Sequence, residues 1–325
     1  MSEFHVEVVQ IDDIRTHPNA DQLSIAVVKG YPVVIRKDSF KIGDKAVHVP
    51  IDAQVPLNHP LFSFLLNKDK PKEFERVKAK KLRGTFSMGL LVPANLEWEV
   101  GRNVQEELGV TKYEPPLPMV MGGENEPDPG FLPQYTDIEG LRKFENLLAV
   151  GEEVALTEKT HGTNCRFIFN DGRLWVGSHH CIKRKSDTQM LWKLAERYNL
   201  EAKLSEMPGI AIYGEAYGSV QDLKYGCAPG EVKLLLFDAL DIQTRTYKDY
   251  DEFKAIALKL GIPTAPELYR GSWSPDLRSH GEGLTTLGAK HVREGFVVRP
   301  VKERFSMELG GRLVLKYPGE GYFLR

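Results

Sequence analysis

Residues 157–164 read Thr-Glu-Lys-Thr-His-Gly-Thr-Asn and join two runs whose composition is typical of β-strands. A lysine amine is a nucleophile only after it loses its proton, and burial or a neighbouring cation can lower its pKa enough for that. Gly162 would let the backbone turn tightly just after Lys159, because a residue without Cβ tolerates such conformations. The octet therefore predicts a turn that presents a reactive lysine to a phosphate chain.

Composition places the chain among globular proteins. Its 325 residues are enough for two domains of ordinary size, and its net charge of −2 permits only local basic surfaces. The three cysteines show no CxxC spacing, which indicates neither a disulfide framework nor a zinc site. No apolar run is long enough to cross a bilayer, and the first residues lack the layout of a secretory signal. We expect a cytoplasmic, or at least intracellular, protein.

Two composition changes divide the chain. Short apolar runs separated by glycine or aspartate occupy residues 4–56, which predicts a small antiparallel barrel or sandwich. Residues 113–133 carry six prolines, a composition that suits an extended connector. We therefore predict a first domain over residues 1–110, a linker over 111–133 and a second domain over 134–325.

The second domain combines strand-like runs with two helical patterns, which predicts mixed α and β structure. Ser186 and Gln189 have the spacing of a capping box, so we expect a helix over residues 187–206. A second periodic run around Phe253 ends at Gly261, a residue that commonly terminates helices.

Four later segments place polar side chains at or just beyond the end of an apolar strand, where an active site built on a sheet collects its functional groups. In chain order they are Tyr213-Gly214-Glu215-Ala216-Tyr217-Gly218, Leu235-Leu236-Phe237-Asp238, Glu294-Gly295-Phe296-Val297-Val298-Arg299 and Leu313-Val314-Leu315-Lys316-Tyr317. Each segment alone is ordinary, but their order after Lys159 indicates one site shared by several strands.

In these segments the chain resembles the covalent nucleotidyltransferases, the superfamily of ATP-dependent ligases and capping guanylyltransferases, and within it the RNA ligases of the RNA ligase 2 type. Residues 158–164 resemble the nucleophile motif, residues 213–217 motif III, Phe237 the aromatic of motif IIIa, Glu294-Gly295 motif IV and Lys316 motif V. The resemblance implies an α+β protein: an N-terminal OB-like β-barrel, then a mixed α/β, ATP-grasp-like nucleotidyltransferase domain built on antiparallel sheets.

The first domain is similar to the one that precedes the ligase domain in RNA ligases of the Deinococcus-type branch. The similar segments are residues 18–23, 34–37 and 81–91. Two positions depart from the family pattern. Val314 stands where motif V commonly has a second lysine, which Arg312 could replace, and His179 follows Ser178 where an arginine is usual.

The resemblance implies three nucleotidyl transfers that seal 3′-hydroxyl and 5′-phosphate breaks through a lysyl-AMP intermediate, with ATP as AMP donor and Mg²⁺ or Mn²⁺ as metal. It assigns catalysis to Lys159, Glu294 and Lys316, with Glu294 also assisting the metal. It assigns nucleotide binding to Glu158, Gly162, Asn164, Glu215, Phe237 and Lys316. His161, beside the nucleophile, is a further candidate for phosphate binding, with a purely structural role as the alternative. Of these, Glu158 is expected to accept from the exocyclic amine of adenine and Glu215 to bind the ribose. A lowered pKa is expected for Lys159 beside the second cation, Lys316.

The acceptor strand is expected at His179, Lys183 and Arg184, and nucleic acid at the basic residues Lys78, Lys80, Lys81 and Arg83 of the first domain. The expected partner is nicked or broken RNA, with the identity of the opposite strand left open, and the expected state is a monomer.

Other interpretations stay open at this stage. A DNA ligase or capping enzyme would usually carry its OB domain after the catalytic domain. Residues 18–23 also resemble tRNA-binding OB modules, so a non-catalytic RNA-binding protein is an alternative. A degenerate ligase that binds ATP without forming the adduct is a further one, because of Val314 and His179.

Overall fold

The computed structural model describes residues 4–67, 72–113 and 125–324. The chain divides into two compact units, Met1–Leu117 with Phe323–Arg325, and Pro118–Tyr322. Residues 114–124, the centre of the predicted linker, and residues 68–71, a few positions before the basic residues of the first domain, lie outside the described residues. The predicted domain limits stay predictions.

The first unit is built from short antiparallel strands. They are β1 (Glu7–Gln10), β2 (Asp13–Thr16), β3 (Leu23–Val28), β4 (Tyr31–Arg36), β5 (Lys45–Val49), β6 (Ala53–Pro56), β7 (Phe74–Arg76), β8 (Lys80–Leu82), β9 (Thr85–Ser87), β10 (Leu90–Pro93) and β11 (Thr111–Lys112). The sheet orders are β1-β5-β10, β11-β6-β7, β2-β3-β4 and β8-β9. A 3-10 helix spans Pro60–Leu65.

Alternation of side chains gives this unit its core. Along β3, Ser24, Ala26 and Val28 are buried while the residues between them are partly exposed. Since successive side chains of a strand point to opposite faces, the alternating sequence buries one face of each sheet. Val8 and Val47 are completely buried in one of two apolar clusters that result.

The second unit contains two larger sheets. Its strands are β12 (Asn125–Glu126), β13 (Glu139–Gly140), β14 (Glu153–Glu158), β15 (Thr163–Asn170), β16 (Arg173–Ser178), β17 (Ile182–Lys183), β18 (Ile210–Gly218), β19 (Val232–Asp241), β20 (Thr246–Tyr247), β21 (Glu267–Ser272), β22 (Gly295–Pro300), β23 (Phe305–Ser306), β24 (Gly311–Arg312) and β25 (Leu315–Pro318). The α-helices in the described part of the chain are α1 (Leu141–Phe144), α2 (Met190–Arg197), α3 (Leu200–Ser205), α4 (Tyr250–Leu260) and α5 (Glu320–Phe323). Further 3-10 helices span Glu145–Leu147 and Pro275–Gly281.

The seven-stranded sheet has the order β12-β17-β16-β15-β18-β19-β20, and the five-stranded sheet has the order β13-β25-β22-β14-β21. The pairing of β13 with β25 is parallel, and the other pairs in these two sheets are antiparallel. The strand β14 belongs to the five-stranded sheet and the next strand, β15, to the seven-stranded one. Residues 159–162 therefore carry the chain from one sheet to the other.

Three helices cover one face of the seven-stranded sheet. Apolar residues of α2, α3 and α4, among them Leu191, Leu204 and Phe253, form one cluster with Phe167 of β15 and Leu236 of β19. Among the described residues, no helix combines the length and the apolar composition that crossing a membrane requires.

The predicted helix over residues 187–206 is wrong in its length and its cap. Asn199 is in the left-handed conformation, with φ of 51°, and separates α2 from α3. Asparagine tolerates this conformation better than most residues, so the chain breaks there. Gln189 caps α2 by accepting from the backbone N–H of Leu191 and Trp192. The second predicted helix is present as α4 and ends at Gly261.

Candidate active site

A cavity of about 340 Å³ lies in the second unit between its two large sheets. The five-stranded sheet contributes Thr157 and Val297 to its wall, and the seven-stranded sheet contributes Asn164, Glu215 and Phe237. The segment that passes between the sheets lines the same cavity, because Lys159, Thr160 and Gly162 are also part of the wall. The fold thus brings together residues that lie far apart in the sequence.

Lys159, which lines this cavity, forms an ion pair with Glu294. The amine Nζ lies 2.7 Å from Oε1 of Glu294, whose side chain is only 9% exposed. The backbone supports the pair, because the N–H of Lys159 donates to the carbonyl of Gly295 at 3.0 Å. Gly295 has φ of 141°, and a Cβ at this position would lie 2.0 Å from the carbonyl oxygen of Tyr317. Only glycine lets the neighbouring strand come this close.

The expectation of a lowered pKa for Lys159 is wrong for the ligand-free protein. Burial acts to lower the pKa of the amine, but the carboxylates of Glu294 and Glu215 outweigh it and raise the pKa above its ordinary value. The lysine is therefore held as an ammonium. The prediction placed a cation next to Lys159, whereas the nearest charges are negative.

Glu215 lies on β18 opposite Asn164 of β15 and faces the same cavity. Burial raises the pKa of Glu215 to about 8, with Lys159 opposing the shift and Glu294 adding to it. Near neutral pH this carboxyl group is mostly protonated, so it can donate as well as accept a hydrogen bond.

Gly162 stands where the turn after Lys159 passes β18. A Cβ on Gly162 would lie 2.2 Å from the carbonyl oxygen of Ala216, a backbone atom that cannot rotate away. The glycine of the motif is therefore needed for the close approach of two backbones, whereas the octet predicted a tight turn beside a phosphate chain.

His161 is surrounded by polar groups. Its Nε2 lies 2.9 Å from Asp222, and its Nδ1 lies 3.5 Å from Oε2 of Glu294 and 3.2 Å from the hydroxyl of Tyr322. Its backbone N–H donates to the hydroxyl of Tyr225 at 2.6 Å. The imidazole is thus placed beside the carboxylate that holds the lysine.

Three buried oxygen atoms around the ion pair have no hydrogen-bond partner within the described part of the chain. They are Thr160 Oγ1, Asn164 Oδ1 and Glu294 Oε2. A buried polar atom without a partner is costly, so such atoms commonly mark a place that a ligand or ion completes. The described residues contain no cluster of three or more His, Cys, Asp or Glu side chains suited to a metal ion.

A β-bulge directs Phe237 into the cavity. Along β19, Asp238 is opposite Tyr213 and Leu236 is opposite Gly214, so Phe237 has no opposite residue on β18. A bulge of this kind turns a side chain out of its regular direction. The ring is half-buried and lies edge to face with Tyr135, with 4.8 Å between the ring centres.

Lys316 is next to this wall. It is directly opposite Val297, which is in turn directly opposite Thr157. Directly opposite residues point to the same face of a sheet, so Lys316 shares a face with two residues of the cavity wall although it does not itself line the cavity. Val314, the departure from motif V, does line it.

Sequence reasoning missed a buried charge network at one end of the cavity. Asp238 accepts from Arg299 at 3.0 Å, from Arg312 at 2.8 Å and from the hydroxyl of Tyr135 at 2.8 Å. Glu303 accepts from the same two arginines. Arg312 is therefore bound to these carboxylates, and Arg299 and Tyr135 are members that line the cavity. The sequence did contain a signal for this network, because Asp238 and Arg299 are charged residues within largely apolar strands.

The predicted acceptor residues lie at one side of the seven-stranded sheet. His179 is 4.0 Å from Asp137, Lys183 donates to Asn125 at 2.8 Å, and Arg184 is exposed. Burial, together with the neighbouring His180, lowers the pKa of His179. The lowered pKa favours the neutral imidazole, so the cations among the three are Lys183 and Arg184.

The predicted nucleic-acid residues of the first unit surround the hairpin of β8 and β9. Lys78, Lys80, Lys81 and Arg83 are all exposed. Arg83 and Gly84 form the turn with φ of 48° and 90°, the left-handed conformation that two-residue hairpins favour. The turn thus presents a basic, exposed edge.

Comparison with known proteins agrees with this architecture. A family model described as RNA ligase matches residues 152–318, just over half of the chain, and a model of an OB-fold domain matches residues 5–94. No curated protein matches the chain. The OB-fold prediction for the first domain and the prediction of a mixed α/β ligase domain on antiparallel sheets are confirmed.

Solved structures of an RNA ligase from Naegleria gruberi share the fold. The structure with PPi has a TM-score of 0.82 at 22% identity and covers 98% of each chain. Two mutants of that protein, both with ATP and Mn, have TM-scores of 0.84 and 0.83 at 22% and 23% identity. The matches cover 98% of each chain for the first mutant, and 99% of this chain and 98% of the other for the second.

Proposed function

Because the chain belongs to the RNA ligase family, we propose that it is an ATP-dependent RNA ligase that joins 3′-hydroxyl and 5′-phosphate ends through a lysyl-AMP intermediate on Lys159. The observation that carries the proposal is the pairing of Lys159, a residue of the wall of the 340 Å³ cavity, with Glu294 at 2.7 Å. The Naegleria relative with ATP supports ATP as the donor of AMP.

Three transfers make up the reaction. Nζ of Lys159 attacks the α-phosphorus of ATP, a P–N bond forms, and pyrophosphate leaves with the electrons of the broken P–O bond. A 5′-phosphate oxygen then attacks the same phosphorus and releases the lysine, which gives an adenylylated RNA end. Finally a 3′-hydroxyl attacks the 5′-phosphorus, loses its proton and displaces AMP.

The first transfer requires deprotonation of Lys159. The amine is an ammonium in the ligand-free protein, since the carboxylates of Glu294 and Glu215 raise its pKa. A bound triphosphate would bring more negative charge, so a compensating cation has to reach this end of the cavity. Lys316, on the same sheet face as Thr157 and Val297, is the residue we assign to the α-phosphate.

A divalent metal fits the site only if the protein and the phosphates of the nucleotide hold it together. Mg²⁺ is commonly held by one or two carboxylates together with phosphate oxygens and waters, and this needs no cluster of protein ligands. Oε2 of Glu294, buried and without a hydrogen-bond partner within the described residues, is the protein atom that suits it. When bound, the metal neutralises charge on the phosphates.

We assign the remaining residues of the site to binding of the nucleotide. The ring of Phe237 offers a flat face for adenine. We assign Glu215 to the ribose hydroxyls, because its protonated carboxyl group can donate and accept. Asn164 and His161 are assigned to phosphate oxygens, and Gly162 keeps the turn close to β18.

We assign Lys183 and Arg184, with neutral His179, to the acceptor strand. The exposed cations Lys78, Lys80, Lys81 and Arg83 of the OB fold are assigned to the RNA backbone, since clustered lysine and arginine neutralise phosphates. The resemblance of the first domain to the Deinococcus-type branch favours nicks in duplexes with RNA on the 3′-hydroxyl side. We also propose that the protein is a monomer and is located in the cytoplasm.

A labelling experiment tests the covalent step. The protein is mixed with ATP labelled at the α-phosphate and with Mg²⁺ or Mn²⁺, denatured, and examined for retained label. The label should stay on the wild type and on Lys193→Ala, an exposed lysine of α2, and should be absent from Lys159→Ala. Absence of label from folded wild-type protein in both metals would refute the proposal.

A second experiment tests the substrate. The substrates are two duplexes, each with one nick. They are identical except that the 3′-hydroxyl end is RNA in one and DNA in the other. Faster sealing is expected for the RNA end. Equal rates for all-DNA nicks would refute the proposed specificity and leave the covalent step untouched.

A further inference from the structure

Two consecutive threonines from a loop that is remote in sequence hold the carboxylate of Glu158. Thr285 Oγ1 donates to Oε1, and Thr286 donates to Oε2 through its N–H at 2.8 Å and its Oγ1 at 2.6 Å. Glu158 is 1% exposed and is the last residue of β14, directly before Lys159. A carboxylate has about four acceptor positions, so the threonines occupy most of them.

The loop that carries these threonines is itself well anchored. The N–H of Thr285 donates to the carbonyl of His291 at 3.0 Å, and Thr285 Oγ1 accepts from the N–H of Leu287 at 3.2 Å. Leu287 packs against a buried cluster that contains Tyr225. The hydroxyl of Thr285 therefore both donates and accepts, which an aliphatic side chain of the same shape cannot do.

The backbone on both sides of Glu158 is also fixed. Its N–H donates to the carbonyl of Pro266 at 2.7 Å, and the N–H of Lys159 donates to that of Gly295 at 3.0 Å. Side-chain and backbone contacts together leave the peptide before the nucleophile little freedom. Attack on phosphorus demands such order, because a misplacement of about 1 Å can cost about a hundredfold in rate.

We infer that Thr285 and Thr286 are positioning residues for the first nucleotidyl transfer. They fix the carboxylate of Glu158, and through it the peptide that carries Lys159, so that the amine meets the α-phosphorus in a single geometry. The inference rests on the proposed function, since it presupposes attack by Lys159. It gives Glu158 a role in the free protein that differs from accepting a hydrogen bond from adenine.

The test compares Thr286→Val with Thr286→Ser. Thr286 is exposed, so its valine variant should fold. At saturating ATP, Thr286→Val should form the lysyl-AMP adduct about tenfold more slowly, the effect of losing one hydrogen bond to a charged group. The ATP concentration for half-maximal rate should stay unchanged, and Thr286→Ser should restore most of the rate. Thr285→Val should likewise slow adduct formation and leave the ATP concentration for half-maximal rate unchanged.

An RNA with an already adenylylated 5′ end provides the second readout, because its sealing needs no attack by Lys159. Thr286→Val should seal this RNA at the wild-type rate. Thr246→Val, which removes an exposed hydroxyl on β20, is the matched control and should leave both rates unchanged.

Three outcomes would overturn the inference. Equal losses in adduct formation and in sealing of the adenylylated RNA would mean a merely structural role. A loss confined to ATP affinity would mean that Glu158 acts on the base, and an unchanged adduct rate would mean no role. Failure of the wild type to form any adduct is distinguishable from these, since it refutes the proposed function itself.

Discussion

At the scale of single residues, the charge around Lys159 determines what the site can do before ATP arrives. Glu294 and Glu215 together raise the pKa of the amine although burial acts against them. A protonated lysine cannot attack phosphorus, so the ligand-free site is protected from premature reaction. The proton has to leave when the nucleotide and its cation bind.

Glu294→Gln should shift the pH dependence of adduct formation. In the wild type the rate should rise with pH over the measurable range, because the fraction of neutral amine rises as pH approaches the raised pKa of Lys159. Removal of the negative charge lowers that pKa by about 1–3 units, so the rate of the variant should level off at lower pH. Quenched adduct assays at a series of pH values measure this.

Glu215→Gln is the comparison variant for that experiment. Glu215 is charged only above its own pKa of about 8, and there it is the second carboxylate, after Glu294, that raises the pKa of Lys159. A smaller shift in the same direction is expected. A Glu294→Gln profile parallel to that of the wild type would contradict the assignment of the raised pKa to Glu294.

Gly162→Ala should damage both stability and the first transfer. The new Cβ would lie 2.2 Å from a backbone oxygen of Ala216, and overpacking of this kind costs about 1–3 kcal/mol. Displacement of the turn should slow adduct formation by about a hundredfold. Thermal unfolding and adduct assays measure the two effects.

Gly311→Ala is the matched control for Gly162→Ala. The nearest atom to a Cβ at Gly311 is 3.9 Å away, and this position needs no left-handed backbone. The control should unfold at the wild-type temperature. Similar losses in both variants would show that the close approach at Ala216 is not the cause.

At the scale of secondary-structure elements, local irregularities shape the site and its surroundings. The bulge in β19 places Phe237 in the cavity and turns Asp238 toward the arginines. The break at Asn199 lets α2 and α3 both pack on the seven-stranded sheet. The spacing of apolar residues predicted neither feature.

Asn199→Leu should destabilise the second unit and Asn199→Gly should not. A left-handed backbone costs a residue with a branched or bulky side chain about 1–2 kcal/mol, whereas glycine adopts it freely. The free energy of unfolding, measured with denaturant, should fall by that amount for the leucine variant only. A more stable leucine variant would mean that the two helices can join.

At the scale of the whole second unit, a buried charge network links the two large sheets. Asp238 belongs to the seven-stranded sheet and Arg299 to the five-stranded sheet, and both are almost completely buried. Burial acts to raise the pKa of Asp238, but Arg312 and Arg299 lower it below its ordinary value. This group therefore stabilises the fold above its unfolded pKa, and the contribution is lost as pH falls through the lowered folded value.

Asp238→Asn should therefore be strongly destabilising. Removal of one partner from a buried ion pair typically costs about 3–5 kcal/mol, because the remaining charge stays buried without compensation. Trp175, Trp192 and Trp273 report on this unit in denaturant unfolding. Asp171→Asn, an exposed residue of a turn, is the control and should unfold like the wild type. Equal stability of the two variants would contradict a structural role for the network.

The sequence by itself determined the identity of the fold and of the main chemical groups. Alternating apolar residues predicted the barrel, and the octet around Lys159 with the strand ends at Glu215, Phe237 and Glu294 predicted one site. This was possible because side-chain chemistry and strand periodicity are local properties. The structure brings Lys159, Glu215 and Phe237 to one cavity and pairs Glu294 with Lys159, while their roles stay predictions.

Tertiary structure alone decided how these groups influence one another. Three features depend on which strands become neighbours. They are the direction of the pKa shift of Lys159, the hydrogen bonds from the two threonines to Glu158, and the ion pair between Arg312 and Asp238. Coulomb energies and hydrogen bonds vary with distances of a few ångströms between residues that are about a hundred positions apart in the chain. Spacing along the sequence carries no information about those distances, so only the folded protein sets them.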